Sequence, residues 1–316
     1  MITDSMIGWG DLMCAQLSKI AQLLYICIKN NQQLVFWNEL KNFRRGFRFL
    51  EAFDIDGIVY LARACSFKSN IIEQYCKITS TNNWLGEMNR IYKSKILYYS
   101  DRFIFKWIKM NYRDFKNVSI GKNNIHTERS LLDLSTGNYD INYGFGTYRE
   151  WKKYEDTIKK RIHFKDNIQK NGNRIIAEIS SHKKKVAIHV RRTDYLILSS
   201  LILNDVYYKK AMSYFDPLEN QFLVFSDDIE ECKKMKVFHD KDVIFMPTNS
   251  GPVDLYLMTL CNGGNIIANS SFSFWGGLLN NNMGKKVVCP HDFIGETSKE
   301  NLYINGNYYP DDWIAI

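Results

Sequence analysis

The sequence predicts an α/β fold built on parallel sheet, and three observations carry that expectation. After residue 185, short apolar segments alternate with helical stretches of about ten residues, the pattern of strands joined by crossover helices. Those segments are predominantly apolar rather than alternating, as strands covered on both faces are. The chain also opens with a glycine-containing turn, then a helix, then a strand. With 316 residues, 45% of them hydrophobic, it is long enough for two ordinary cores, and disorder is excluded.

Residues 11–29 read as an amphipathic helix with Leu17, Ile20, Ala21, Leu24 and Ile28 on one face. Leu34-Val35-Phe36-Trp37 reads as a buried strand. The stretch 38–140 is expected to be mostly helical, with a polar loop near 117–142. Residues 151–180 read as a charged helix pair. Five strands then follow: 186–190, 221–225, 243–246, 265–268 and 286–288. Helices at 207–215, 229–237, 253–261 and 274–282 separate them, so a parallel sheet with helices on both faces is expected. No internal repeat is present.

Several function classes are excluded early. No apolar run reaches the roughly 18 residues of a membrane span, because Gln16, Ser18, Lys19 and Gln22 interrupt the nearest candidate. No basic segment or cleavage site suggests a secretory signal. The seven cysteines form no C-x-x-C pair and the six histidines no close ligand spacing, so neither a disulfide framework nor a metal site is expected. A reducing cytoplasm suits them. The net charge of +8 favours an anionic partner without choosing among nucleotides, nucleic acid and acidic membrane. No nucleic-acid-binding motif is present.

In open parallel sheets ligands bind beyond the carboxyl ends of the strands, so the residues there carry the functional question. The first strand of the second half runs into His189-Val190-Arg191-Arg192-Thr193-Asp194-Tyr195. One arginine there suits a diphosphate while the other is held by a carboxylate such as Asp194. The second strand ends in Phe225-Ser226-Asp227-Asp228. That acidic pair admits a metal ion, hydrogen bonds to a nucleoside, or a cap on the next helix. The fourth strand ends in Asn269-Ser270-Ser271-Phe272-Ser273, which places hydroxyls and backbone N–H groups at a helix start, a site suited to anions.

The segment 189–195 resembles the H-x-R-R-x-D-Y motif of GDP-fucose-dependent fucosyltransferases. Asp254-Leu255-Tyr256-Leu257-Met258, followed by Ile266 to Gly276, is similar to the later motif of the bacterial and animal α-1,2-fucosyltransferases, glycosyltransferase family 11. Phe225 to Asp228, Tyr143 to Asp166 and the ending Tyr309 to Ile314 add to the likeness. It covers nearly the whole chain, densely from 185 to 280. The resemblance implies a GT-B-like enzyme with two Rossmann-like domains facing a central cleft: 1–175 on the acceptor side, 176–300 for the GDP-sugar, and 301–316 packing back on the first. It implies inverting transfer of fucose from GDP-fucose as co-substrate to the 2-hydroxyl of a terminal β-galactoside, with no cofactor and no metal. The setting expected is O-antigen or surface-polysaccharide assembly on a lipid carrier, in the cytoplasm at the inner face of the inner membrane. GDP-colitose as donor and a non-catalytic sugar-nucleotide binder are the alternatives.

Carried over residue by residue, Arg191 contacts the β-phosphate and His189 lies beside the donor, while Arg192 and Asp194 order the loop. Ser270 and Ser271 hold the phosphates, Asp254 reads the nucleoside, and Asn269, Phe272, Asp227 and Asp228 complete the donor side. Tyr195 and Trp275 are read as packing. Members usually open with a G-G-L-G-N-Q loop, whereas this chain has Gly8-Trp9-Gly10-Asp11-Leu12 on the acceptor side. Asp11, where asparagine is usual, is the general base or an acceptor-orienting group, or else the cap of the following helix. Gly146 likewise stands where glutamine is usual.

Overall fold

The computed structural model describes residues 1–8, 12–38, 41, 45–61, 93–111, 114–120, 134–143, 148–193, 202–239, 241–293 and 308–316. The chain divides into two compact units, Met1–Gly146 with Lys153–His163, and Thr147–Lys152 with Phe164–Ile316.

The first unit begins with Ile2–Thr3 (β1) and the helix Met13–Lys29 (α1). That helix is buried almost all round, Gln16 and Gln22 included, as a core helix rather than a surface one. Gln16 is satisfied there, its Nε2 donating to Gly46 O at 2.8 Å and its Oε1 accepting from Phe49 N at 3.3 Å. Leu34–Trp37 (β2), Phe53–Ile55 (β3), Ile58–Leu61 (β4), Lys95–Asn111 (α2), Lys116–Ile120 (β5) and Tyr139–Tyr143 (β6) follow. A five-stranded sheet has the order β4-β2-β1-β6-β5, every pair parallel.

This corrects the expectation of a mostly helical stretch with a polar loop near 117–142. Segments as polar as Lys-Asn-Val-Ser-Ile and Tyr-Asp-Ile-Asn-Tyr are strands all the same, paired with each other along their whole length. Asp140, fully buried, accepts from Ser5 N at 2.9 Å and Ser5 Oγ at 2.7 Å. Ser5 and Asp4 immediately follow β1, so the sheet's centre is tied to β6 by side chains as well as by its ladder.

The expected helix pair at 151–180 is interrupted. Tyr148–Trp151 (α3), a 3₁₀ turn at Lys152–Tyr154, Glu155–Lys159 (α4), Ile162–Phe164 (β7) and Asp166–Glu178 (α5) occupy it. The boundary expected at 175 falls inside α5, which belongs to the second unit because it packs there on Gly251–Leu260. Gly172 lets the Tyr256 ring lie where a Cβ would meet it at 2.5 Å, and Tyr256 Oη donates to Asn173 Oδ1 at 3.2 Å.

In the second unit Lys184–Val190 (β8), Asp205–Met212 (α6), Asn220–Ser226 (β9), Ile229–Lys233 (α7), Val243–Phe245 (β10), Gly251–Leu260 (α8), Gly264–Ile266 (β11), Ser271–Leu278 (α9), Lys286–Cys289 (β12) and Ile314–Ala315 (β13) alternate much as the sequence predicts. Six parallel strands lie in the order β10-β9-β8-β11-β12-β13. Val186, Ile188 and Val190 pack with Tyr207, Tyr208, Ala211 and Met212 of α6 in one buried cluster. Ala187, Leu223 and Phe225 pack with Val253, Leu257 and Met258 of α8 in another, so helices cover both faces. The described end of the chain, 308–316, belongs to this unit through the pairing of β13 with β12. The tail was expected on the first domain.

Trp275 is fully buried and stacks on Trp151, ring centroids 5.8 Å apart. The five cysteines among the described residues are all buried and free. Among those residues no helix is long and apolar enough to cross a membrane.

Candidate functional site

Successive strands β8, β9 and β10 run outward from the middle of the second sheet, and the chain then returns to place β11 on the other side of β8. That reversal makes the carboxyl ends of β8 and β11 the switch point of the sheet, the place where adjacent loops diverge and leave a crevice. His189 to Thr193 leave β8 there, and Ala268 to Ser271 leave β11.

Asp227, at the end of β9, organises the β8 loop. Its carboxylate pairs with Arg191 Nη1 at 2.9 Å and accepts from Arg192 N at 2.8 Å and Thr193 Oγ1 at 2.6 Å. The first of these directs the Arg191 guanidinium, whose side chain is 21% exposed, and the other two hold the loop that follows. Asp227 therefore orders this loop; Asp194, expected to do so, lies outside the described residues with Tyr195. Sequence reading missed this because the bond joins different strands. The signal available was the pairing of His189 with Phe225 and Val190 with Ser226, which brings the two strand ends side by side.

Asp228 caps α7, its Oδ1 accepting from Glu231 N at 3.1 Å, while its own N–H donates to Ser226 Oγ at 3.0 Å. Of the three roles open to the acidic pair, capping is the one Asp228 fills. Among the described residues no three His, Cys, Asp or Glu side chains gather to hold a metal ion.

His189 is 3% exposed, with its ring centroid 5.2 Å from that of Phe272. Burial pushes its pKa down to about 3, the Arg191 charge adding to the effect and Asp227 opposing it. The imidazole is therefore neutral. His189 Nδ1 and Arg192 Nε are buried with no hydrogen-bond partner among the described residues. Unpaired buried polar atoms are unusual away from a ligand site.

Across the switch point, Ser270 caps α9, its Oγ accepting from Phe272 N at 3.3 Å. Ser273 Oγ accepts from Ala268 N and donates to Ala268 O, each at 3.1 Å, which clamps the turn. Asn269 is buried, and Ser271 opens the helix, whose N-terminal dipole faces the crevice. A Cβ placed on Gly251 would lie 3.8 Å from the Phe272 ring, so the start of α8 adjoins the same place. One turn into α8, Asp254 accepts from Asn249 Nδ2 at 2.9 Å. Burial raises its pKa to about 6, partly offset by Asn249.

Two cavities flank these residues. One, about 490 Å³, lies at the ends of β9 and β10 and is bordered by Asp227, Asp228 and Thr248. The other, about 450 Å³, is bordered by Asn269, Tyr207, Lys210 and His291. The structure thus gathers His189, Arg191, Arg192, Asp227, Asp228, Asp254, Asn269, Ser270, Ser271 and Phe272 at one end of one sheet. Of the acceptor-side loop, only Gly8 is described, its carbonyl accepting from Arg45 N at 3.2 Å. Trp9, Gly10, Asp11 and Gly146 lie outside the described residues. The N-cap of α1 is Leu12, with no side-chain cap bond.

Comparison with known proteins gives the family and the fold. The profile of Glycosyl transferase family 11 matches residues 61–316. The Escherichia coli alpha-1,2-colitosyltransferase is 38% identical over 151 residues, 45% of this chain and 50% of that protein. The O-antigen biosynthesis glycosyltransferase WbnK of Escherichia coli is 30% identical over 149 residues, 44% of this chain and 46% of that protein. The chain spans about half the length of the curated relatives it matches. Among solved structures, NodZ alpha-1,6-fucosyltransferase co-crystallised with GDP, an enzyme of Bradyrhizobium, matches with a TM-score of 0.51 and 15% identity. That match covers 88% of this chain and 92% of that one. The shared feature at this identity is the fold, two parallel α/β units of the GT-B class.

Proposed function

The chain belongs to glycosyl transferase family 11, and from that membership we propose that it moves L-fucose from GDP-β-L-fucose to the 2-hydroxyl of a terminal β-galactoside. The observation that carries this reading is the gathering of Arg191, held by Asp227, and the Ser270-capped start of α9 on either side of one switch point.

In an inverting transfer the acceptor 2-hydroxyl oxygen attacks the anomeric carbon while the bond from that carbon to the β-phosphate oxygen breaks. GDP leaves with the bonding electrons, and the hydroxyl proton passes to a base. The need is greatest where charge grows, on the β-phosphate oxygens. Arg191 supplies a fixed positive charge for them, and the N–H groups opening α9 supply oriented dipoles. These groups stabilise the leaving diphosphate without calling on a cation. Ser270 and Ser271 hold the phosphates, Asp254 binds the nucleoside, and Asp11 is our candidate for the base.

A second reading keeps the linkage and changes the donor to GDP-colitose, which has one hydroxyl fewer. The 38% identity with an alpha-1,2-colitosyltransferase favours it. The resemblance to WbnK supports a role in O-antigen assembly; in this reading the acceptor is lipid-linked and the enzyme works at the cytoplasmic face of the inner membrane.

Transfer from GDP-fucose and from GDP-colitose to a panel of β-galactosides, in EDTA, tests the proposal. We expect acceptor-dependent GDP release and a mass gain of one deoxyhexose, with an α-1,2 linkage by nuclear magnetic resonance. A higher kcat/KM with GDP-colitose moves the assignment to the second reading. GDP binding without turnover of either donor contradicts both.

A further inference from the structure

The helix α2 of the first unit carries two apolar faces, and only one of them is used by the core. Ile104 is 8% exposed and Leu97 is half-buried. Ile96, Tyr99 and Phe103 are 78%, 66% and 62% exposed. At 100° per residue these three fall within about 60° of arc, a continuous apolar stripe two turns long that faces solvent. Lone exposed apolar side chains are ordinary, whereas an aligned set on one helix marks an interaction surface.

The chemistry beside the stripe says which kind. Lys95, Arg102 and Lys106 are exposed and lie together along one edge of it, and Lys93 is exposed one turn before. An apolar stripe with an aromatic pair and a basic edge is the make-up of a helix that lies in the plane of a membrane surface. Its rings sit among the upper acyl carbons, and long cationic side chains reach back to anionic headgroups. A protein partner would need acidic groups spaced to match, whereas an anionic bilayer presents its charge at every position.

We propose that α2 docks this protein on an anionic lipid bilayer, with Ile96, Tyr99 and Phe103 inserted and Lys95, Arg102 and Lys106 on the headgroup phosphates. The proposal does not depend on the transferase assignment. None of these residues lies in the second unit, which carries the proposed GDP-sugar site.

Flotation of the full chain with vesicles of phosphatidylglycerol and phosphatidylcholine, and with vesicles of phosphatidylcholine alone, tests it. Preference for the anionic vesicles, weakened by salt, is expected. Combined Ile96→Ser, Tyr99→Ser and Phe103→Ser should lower partition at least roughly tenfold. Combined Lys95→Gln, Arg102→Gln and Lys106→Gln should abolish the anionic preference. All six positions are exposed, and an unchanged far-ultraviolet circular dichroism spectrum and thermal melt in each variant verify the fold. No vesicle binding by the wild-type chain overturns the proposal, as does equal partition of the serine variant. If that variant instead converts a dimer to a monomer in sedimentation, with vesicle partition unaltered, the stripe is a contact between copies and the proposal fails.

Discussion

Asp227 connects more of the proposed donor site than any other side chain, and its replacement separates charge from geometry. Asp227→Asn keeps an acceptor for Arg192 N while removing the carboxylate that directs Arg191. The pair is partly exposed, so the expected loss is moderate, roughly tenfold in GDP affinity with little change in Tm. Calorimetric titration with GDP beside a thermal melt checks both. Asp254 gives a prediction in pH. Its native pKa is raised to about 6 from an ordinary 3.8, so the folded state holds that proton more tightly than the unfolded chain. The contribution favours folding below about pH 4 and is withdrawn as pH rises through 6, by about 3 kcal/mol in all. Asp254→Asn should remove that fall, so the variant is the more stable form at pH 8, read by denaturant melts across the pH range. If Asp254 accepts from the nucleoside as a carboxylate, wild-type GDP affinity weakens below pH 6, and the variant's is flat.

The segment from β11 into α9 is held by backbone constraints that a small substitution reveals. Gly264 has φ +125°, and a Cβ there would meet Lys286 O of the neighbouring strand at 1.9 Å. Gly264→Ala should destabilise the second unit by at least about 2–3 kcal/mol, measured as a shift in the chemical midpoint. Ser270→Ala removes only the cap and should cost about 1 kcal/mol. The strands around this segment were legible in the sequence because Val186 to Val190 and Gln221 to Phe225 are covered on both faces, which leaves an apolar run. In the first unit β1 is two residues long, and β5 and β6 are polar strands whose Asp140 is satisfied by Ser5 across 135 residues of chain. No local pattern reports such a bond, and the stretch reads as loop. β13 escaped notice for the same reason as β1, its two residues being too few for a period.

Each unit is built on a parallel sheet, and the donor-side chemistry read from the sequence falls in the second, while Asp11 and its loop belong to the first. Arg191, Ser270, Ser271 and Asp254 were singled out because strand-end position, residue type and family resemblance pointed the same way, and the positions expected for them at the strand ends are the ones they occupy. What was not legible was their mutual support, since Asp227 to Arg191, His189 to Phe272 and Phe272 to Gly251 are contacts between elements distant in sequence. The basic net charge, by itself uninformative, acquires a place in the basic edge of α2 and in the two arginines that follow β8.

The account stands on the switch point of the second sheet being a GDP site, and calorimetric titration of GDP into wild type and Arg191→Ala, in EDTA, tests this most directly. It predicts saturable one-to-one binding by wild type, retained in the chelator, and at least roughly tenfold weaker binding by a variant that melts as wild type does. Binding that the Arg191→Ala variant keeps at full strength, or no binding by the wild-type chain, would contradict it.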